Sequence, residues 1–345
     1  MKIVLIGFGT VGQGLAQILR AQAADLQAQH GFSAQIVAVA TRSRGSLVHP
    51  TGLDPAALLD AIAAGSLDDY ADAPGLERGW SPDRIAREAP AEVLVEASPS
   101  DLQTGGPALG LCYAAFASGK HVVLANKGPV VVAYPALMEA ARGAGRRLLF
   151  EATVMAGTPS LRLALEGLAG AGITRARGII NGTTNYILTQ MEDGMSFEAA
   201  LAQAQAIGYA EADPTADVDG WDAAGKARIL SAALFGRPRA FEEMRVEGIR
   251  GLTQADIAAA RGAGERWKLV ADITPEALTV APVRVPLAQP LAGVSGGTNA
   301  ITYSTTLLGD VTLVGAGAGG VQTGFGLLSD LLALYRAGVS VSVSG

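Results

Sequence analysis

The stretch that most constrains this chain is its first. Lys2-Ile3-Val4-Leu5-Ile6 is a short apolar run suited to a buried strand, and Gly7-Phe8-Gly9-Thr10-Val11-Gly12 follows without a break. A helix is expected from Gln13 to about Ala24. Strand, glycine turn and helix in that order make a dinucleotide fingerprint. Gly7 permits the tight turn, Gly9 lets the backbone approach a pyrophosphate, and Gly12 lets helix and strand pack closely. A glycine triplet alone is weak evidence; its place between a strand and a helix gives it force.

Further strands are expected at Gln35–Ala40, Val93–Ala97, His121–Ala125 and Arg147–Phe150, with helices at Pro107–Ser118 and Tyr134–Ala144. Residues 45–90 read as short helices and a Pro/Gly-rich excursion. The alternation predicts an α/β chain whose residues 1–150 form a Rossmann-type doubly wound parallel sheet that binds NAD(P). An NAD enzyme usually carries an acid after the second strand, for the ribose 2′-hydroxyl. Here Thr41-Arg42-Ser43-Arg44 stands in that place. Arg42 and Arg44 suit a 2′-phosphate, so NADP is the expected cofactor, with NAD as the alternative; a basic surface loop is the bland reading. Ligands of open parallel sheets bind at the carboxyl ends of the strands, which puts Ser98, Pro99 and Lys127 at the cofactor.

From Glu151 the rhythm changes. A turn over Glu151–Pro159 leads into a helix at Ser160–Leu168, then a strand at Ile173–Ile180. Helices are expected at Phe197–Ile207 and Gln254–Arg266, and strands near Leu269–Ile273, Leu278–Val285, Ile301–Thr306 and Val311–Val314. This predicts a second α/β domain over 151–319, a mixed sheet covered by helices. Gly315-Ala316-Gly317-Ala318-Gly319-Gly320 reads as the approach to a last helix, Val321–Tyr335, with the segment 320–345 completing the first domain.

The chemistry concentrates between Glu211 and Lys226. Five acids, Glu211, Asp213, Asp217, Asp219 and Asp222, fall within twelve residues, and no base interrupts them until Lys226. Pro214 and Gly220 mark a loop, and Asp219 is expected to cap the helix that follows. Asp222 and Lys226 are four apart and share a helix face. A solvated loop with a surface ion pair is the plainer reading. Ala223, Ala224, Ala227, Ile229 and Leu230 argue against it, because they make the helix too apolar for a surface. Carboxylates beside one lysine in a cleft could bind an ammonium group and still deliver a proton. Asn181-Gly182-Thr183-Thr184-Asn185 offers amides and hydroxyls for a carboxylate at a helix start.

Composition removes other classes. A length of 345 residues suggests two domains, and a net charge of −6 argues against nucleic acid as a partner. The single cysteine, Cys112, excludes an internal disulfide framework, fits a reducing cytoplasm, and lies mid-helix as a packing residue. His30, His49 and His121 lack ligand spacing, so no zinc site is expected. Apolar runs are broken before membrane-spanning length, and the opening strand leaves no expected room for a signal peptide.

Taken in order, Gly7–Gly12, Ala125-Asn126-Lys127-Gly128, Glu151-Ala152-Thr153-Val154, Asn181–Tyr186, Glu211-Ala212-Asp213-Pro214, Asp217-Val218-Asp219-Gly220, Asp222 with Lys226, and Gly315–Gly320 resemble homoserine dehydrogenase over nearly the whole chain. The resemblance implies NAD(P)H-dependent interconversion of L-aspartate 4-semialdehyde and L-homoserine, on the route to threonine, methionine and isoleucine. It implies cofactor contacts from Gly7, Phe8, Gly9, Thr10, Val11, Gly12, Ser98, Pro99, Lys127 and Gly319. Gly182, Thr183, Glu211, Asp217 and Asp222 would hold the amino acid, with Lys127 and Lys226 as catalytic lysines supported by Asp222. Glu151, Val154, Ala156 and Thr158 resemble the family's monovalent-cation (Na+) turn, although Met155 and Thr158 replace its commoner Gly and Leu. A homodimer is implied, and no C-terminal regulatory domain is expected. Two other readings are an aspartate-semialdehyde dehydrogenase, which would need Cys112 as nucleophile, and a non-catalytic NADP-binding sensor.

Overall fold

A computed structural model describes residues 1–338; the last part of the expected 320–345 segment lies outside the described residues. The chain divides into two compact units, one built from residues 1–157 together with the segment from Gly319 onward, the other from 158–318.

In the first unit the strands are β1 (Lys2–Ile6), β2 (Gln35–Ala40), β3 (Ser46–Val48), β4 (Glu77–Arg78), β5 (Val93–Glu96), β6 (His121–Leu124) and β7 (Leu148–Leu149). They form one sheet in the order β4-β3-β2-β1-β5-β6-β7. β1 pairs in parallel with β2 and β5, and β6 and β7 continue the parallel run. β3 and β4 add antiparallel strands at one edge. The central strands are buried on both faces, which is why they read as unbroken apolar runs. Ile3, Leu5, Val93 and Val95 share a core with Leu15 and Leu19 of helix Thr10–Ala21 and with Leu327 and Leu331 of helix Gly320–Arg336.

Those two helices touch backbone to backbone. A Cβ on Gly14 would lie 2.1 Å from the Gly320 carbonyl oxygen, and one on Gly324 would lie 2.5 Å from the Leu15 nitrogen. The second glycine run therefore serves helix packing in this unit as well as any ligand. The helix expected at Tyr134–Ala144 begins earlier, as Gly128–Gly143, and is kinked at Ala133. Pro135 explains the kink, since its ring removes an N–H and crowds the preceding turn.

The second unit holds β8 (Ile173–Ile179), β9 (Arg245–Val246), β10 (Glu265–Ile273), β11 (Leu278–Pro286), β12 (Thr298–Thr305) and β13 (Gly309–Ala316). The order is β13-β12-β8-β10-β11-β9, antiparallel throughout except where β9 joins β11. Helices Gly182–Glu192 and Trp221–Phe235 pack on this sheet. Helix Gln254–Gly262 stops short of the expected Arg266, because Glu265 and Arg266 pair with Pro286 and Val285 and so open β10.

Candidate active site

In the first unit, β1 delivers its chain into the glycine turn at Gly7, whose φ of +92° leaves no room for a side chain against Ala97. A Cβ on Gly12 would lie 2.3 Å from the Gly7 carbonyl oxygen, so helix and turn meet as the fingerprint requires. Gly9 caps the helix with no side-chain hydrogen bond, and a Cβ there would meet nothing within 4 Å. Gly9 thus leaves open space at the start of the helix, where the unpaired first-turn N–H groups and the helix dipole favour an anion, a cradle that fits a pyrophosphate. Thr10 is exposed and Val11 half-buried, whereas the Phe8 ring is core, so Phe8 can offer only its backbone.

Two further strand ends are knitted together beside that turn. Asn126 donates from Nδ2 to Ser98 Oγ and to the Pro99 carbonyl, both at 3.2 Å, and accepts the Gly128 N–H at 2.9 Å. The Lys127 N–H donates to Ser100 Oγ at 2.9 Å. Beneath them lies Glu96, a fully buried acid at the end of β5 that no local sequence pattern distinguishes. Cys112 is buried in its helix, and burial followed by the charge of Glu96 pushes its thiol up, the opposite of what a nucleophile needs.

Thr41–Gly45 closes the hairpin between β2 and β3. The Thr41 hydroxyl accepts the Arg44 N–H at 2.7 Å and donates to the Gly45 carbonyl at 2.9 Å. Arg42 is exposed and Arg44 half-buried, and among the described residues neither guanidinium is in a salt bridge. Asp68 faces Gly45 from a later turn, an acid near this loop that local sequence could not show.

The second unit assembles the acids and the lysine. Helix Trp221–Phe235 buries Ala223, Ala224, Ala227, Ile229 and Leu230, and carries Lys226 down with them to 8% exposure. Lys226 Nζ donates to the Ile180 carbonyl at 2.9 Å and lies 2.7 Å from Asp222 Oδ2. Asn181 Nδ2 donates to Asp217 Oδ1 at 2.6 Å and to Asp222 Oδ2 at 3.0 Å. Burial raises the pKa of Asp217, helped by the neighbouring Asp222 and opposed by hydrogen bonds from Asn181 and Thr183 and by Lys226. Thr183 Oγ1 also donates to the Tyr209 carbonyl at 2.7 Å, and the Tyr209 and Tyr186 rings meet edge to face.

Gly182 opens its helix where a side chain cannot fit, since a Cβ would lie 2.6 Å from the Gly297 carbonyl oxygen. Behind it the fully buried Lys268 donates to the Val294 carbonyl at 2.8 Å and to Asn185 Oδ1 at 3.3 Å, fixing the loop on which Gly182 rests. Lys268 gave no sequence signal, being one charge within a strand.

Not every expected residue joins the cluster. Glu211 is exposed, its carbonyl held by Gln205 Nε2 at 3.0 Å. Asp219 does not cap the long helix. It ends the short helix Thr215–Val218 and pairs with Arg250 at 2.5 Å, and Gly220, with φ of +86°, takes the capping place. A left-handed position favours glycine, so the sharp turn displaced the acid by one residue. Glu151, Val154 and Ala156 lie in a buried turn of the first unit, with Ala156 at φ +51°. Thr158 begins the second unit, where its carbonyl accepts the Ser160 N–H at 2.7 Å and its hydroxyl donates to Ala316. Gly319 stands before the last helix of the first unit. Among the described residues, no helix is long and apolar enough to cross a membrane, and no group of three or more His, Cys, Asp or Glu could hold a metal ion.

A dinucleotide cradle on a parallel sheet, with a buried lysine among carboxylates in a companion unit, defines a nicotinamide-dependent oxidoreductase that acts on a small molecule. Comparison with known proteins makes this specific. Residues 7–151 match the family description "Homoserine dehydrogenase, NAD binding domain", and residues 159–332 match "Homoserine dehydrogenase". The chain is 39% identical to homoserine dehydrogenase of Methanocaldococcus jannaschii, across 98% of this chain and 99% of that one. It is 38% identical to an NAD(+)-dependent homoserine dehydrogenase of Pseudomonas canavaninivorans, across 97% and 96%. Among solved structures, a hyperthermophilic archaeal homoserine dehydrogenase in complex with NADPH superposes with a TM-score of 0.84 at 31% identity, covering 97% of this chain and 98% of that one. The chain belongs to the homoserine dehydrogenase family, NAD(P)-dependent oxidoreductases acting on a CH–OH group.

Proposed function

We propose that the Lys226–Asp222–Asp217 cluster is where L-homoserine and L-aspartate 4-semialdehyde are interconverted. The observation that carries this is Lys226 itself, an almost buried ammonium 2.7 Å from one carboxylate and anchored on the Ile180 carbonyl. When bound, the nicotinamide supplies or accepts the hydride. Lys226 holds the proton that the substrate oxygen gains or loses, and stabilises the charge that develops there. Lys127, at the end of β6, is the second candidate for that role. Asp217 and Asp222 bind the substrate ammonium, Glu211 is a further acid for it from the exposed loop, and the N-terminus of helix Gly182–Glu192, with Gly182 and Thr183, takes its carboxylate. In the first unit, Gly7–Gly12, Ser98, Pro99, Lys127 and Gly319 hold the cofactor. The domains are accordingly a cofactor unit and a substrate unit.

NADP is the preferred cofactor in this reading, supported by Arg42 and Arg44 in a turn that β2 presents. Relatives differ on this point, since one is named NAD(+)-dependent and another was solved with NADPH. The carbonyls of Glu151, Val154 and Ala156 form the monovalent-cation turn, a reading supported by the left-handed backbone of Ala156. The exposed edge of β13 and the Leu307-Leu308 tip, with Leu307 74% exposed, support a homodimer through the second unit. Oxidation of L-homoserine, followed at 340 nm with each nucleotide in turn, tests the proposal. Turnover with neither nucleotide would leave only nucleotide binding.

A further inference from the structure

Asn181 stands two residues after the end of β8 and caps helix Gly182–Glu192, and it is only 3% exposed. Its Oδ1 accepts the Thr184 N–H at 2.9 Å and the Thr184 hydroxyl at 3.0 Å. The Thr184 N–H can only donate, so it fixes which way the amide points, because a flipped amide would turn its NH2 onto it. The NH2 is therefore committed to the other side, where it meets Asp217 at 2.6 Å and Asp222 at 3.0 Å.

The two acids stand on different helices, Thr215–Val218 and Trp221–Phe235, joined through the Gly220 turn. Two carboxylates sharing one nitrogen repel each other. A neutral group with two N–H bonds can hold the pair together without cancelling its charge. A hydroxyl has one hydrogen to give, and a carboxylate in its place would add a third negative charge.

We propose that Asn181 is a positioning residue for the reaction: its amide clamps Asp217 and Asp222 so that one stays on Lys226 while the pair keeps the negative charge that receives the substrate ammonium. This rests on the site described under the proposed function. Asp217 faces Asp222 and Lys226, Asp222 also pairs with Lys226, and Arg250 is turned to Asp219.

Serine and aspartate are both good helix caps, so Asn181→Ser and Asn181→Asp keep the acceptor for Thr184 while removing the clamp. Asn181→Ser should melt close to the parent. It should lose about ten- to a hundredfold in kcat/KM for L-homoserine, the range for hydrogen bonds to charged groups, with the nucleotide KM unchanged. The acidic limb of its pH–rate profile should move to higher pH, since the carboxylates lose the donor that favours their ionised form, and Asn181→Asp should move it further. Parent-like kcat/KM and an unmoved acidic limb in Asn181→Ser would overturn the proposal. So would a loss of activity that only tracks a lower Tm, with the limb unmoved in both variants. Lys226→Ala serves as the control: if it turns over normally, the site reading has failed, whatever Asn181 does.

Discussion

Glu96 accepts the N–H and the hydroxyl of Ser98 through one carboxylate oxygen, while its other oxygen is buried with no hydrogen-bond partner among the described residues. Burial pushes its pKa up to about 7, only partly offset by the bonds from Ser98 and Asn126. A raised carboxyl pKa means that the folded state keeps a proton the unfolded chain has already released. Stability should therefore fall as pH rises from the ordinary carboxyl range through about 7. Glu96→Gln keeps an acceptor for Ser98 and cannot ionise. Its Tm should match the parent near the acid end of that window and exceed it by several degrees above the window. A Tm difference independent of pH would show that Glu96 does not carry the effect.

Lys226→Ala should lower kcat by about 10² or more, the scale of a lost proton donor or oxyanion donor. The KM for the nucleotide should stay put, because the glycine turn lies in the other unit. Steady-state kinetics and a melting curve on one preparation separate chemistry from folding. A lower Tm with parental kcat would remove Lys226 from the reaction and leave Lys127.

Arg42→Ala should raise the KM for NADPH far more than that for NADH, since only the former has a 2′-phosphate for a guanidinium to meet. Arg44→Ala should act in the same direction. Equal changes with both nucleotides would mean that the turn does not read the phosphate.

Val314→Lys places a charge on the β13 edge strand, a device that blocks pairing between edges. The parent should sediment as a dimer at micromolar concentration, and the variant should shift toward monomer. A monomeric parent would contradict the dimer outright.

Cys112→Ala should leave kcat unchanged, because the thiol is buried and its pKa is raised. Loss of activity without loss of Tm would revive the semialdehyde-oxidising reading, which needs a cysteine nucleophile.

What the sequence determined by itself was local. Lys2–Gly12 specifies strand, turn and helix start within one short span, because glycine conformations and apolar burial act between near neighbours. The Asp222–Lys226 pair was legible for the same reason, as helical geometry brings residues four apart together. Tertiary structure alone decided the rest. It set Asn181 against Asp217 and Asp222 across 36 and 41 residues, and it turned Asp219 away to Arg250 across 31. It also ended helix Gln254–Gly262 early, because β10 needed Glu265 for its pairing with β11. Burial is the common physical cause. Whether Glu96 or Lys268 meets water depends on which elements cover its strand, and no pattern within a strand records what will be packed over it.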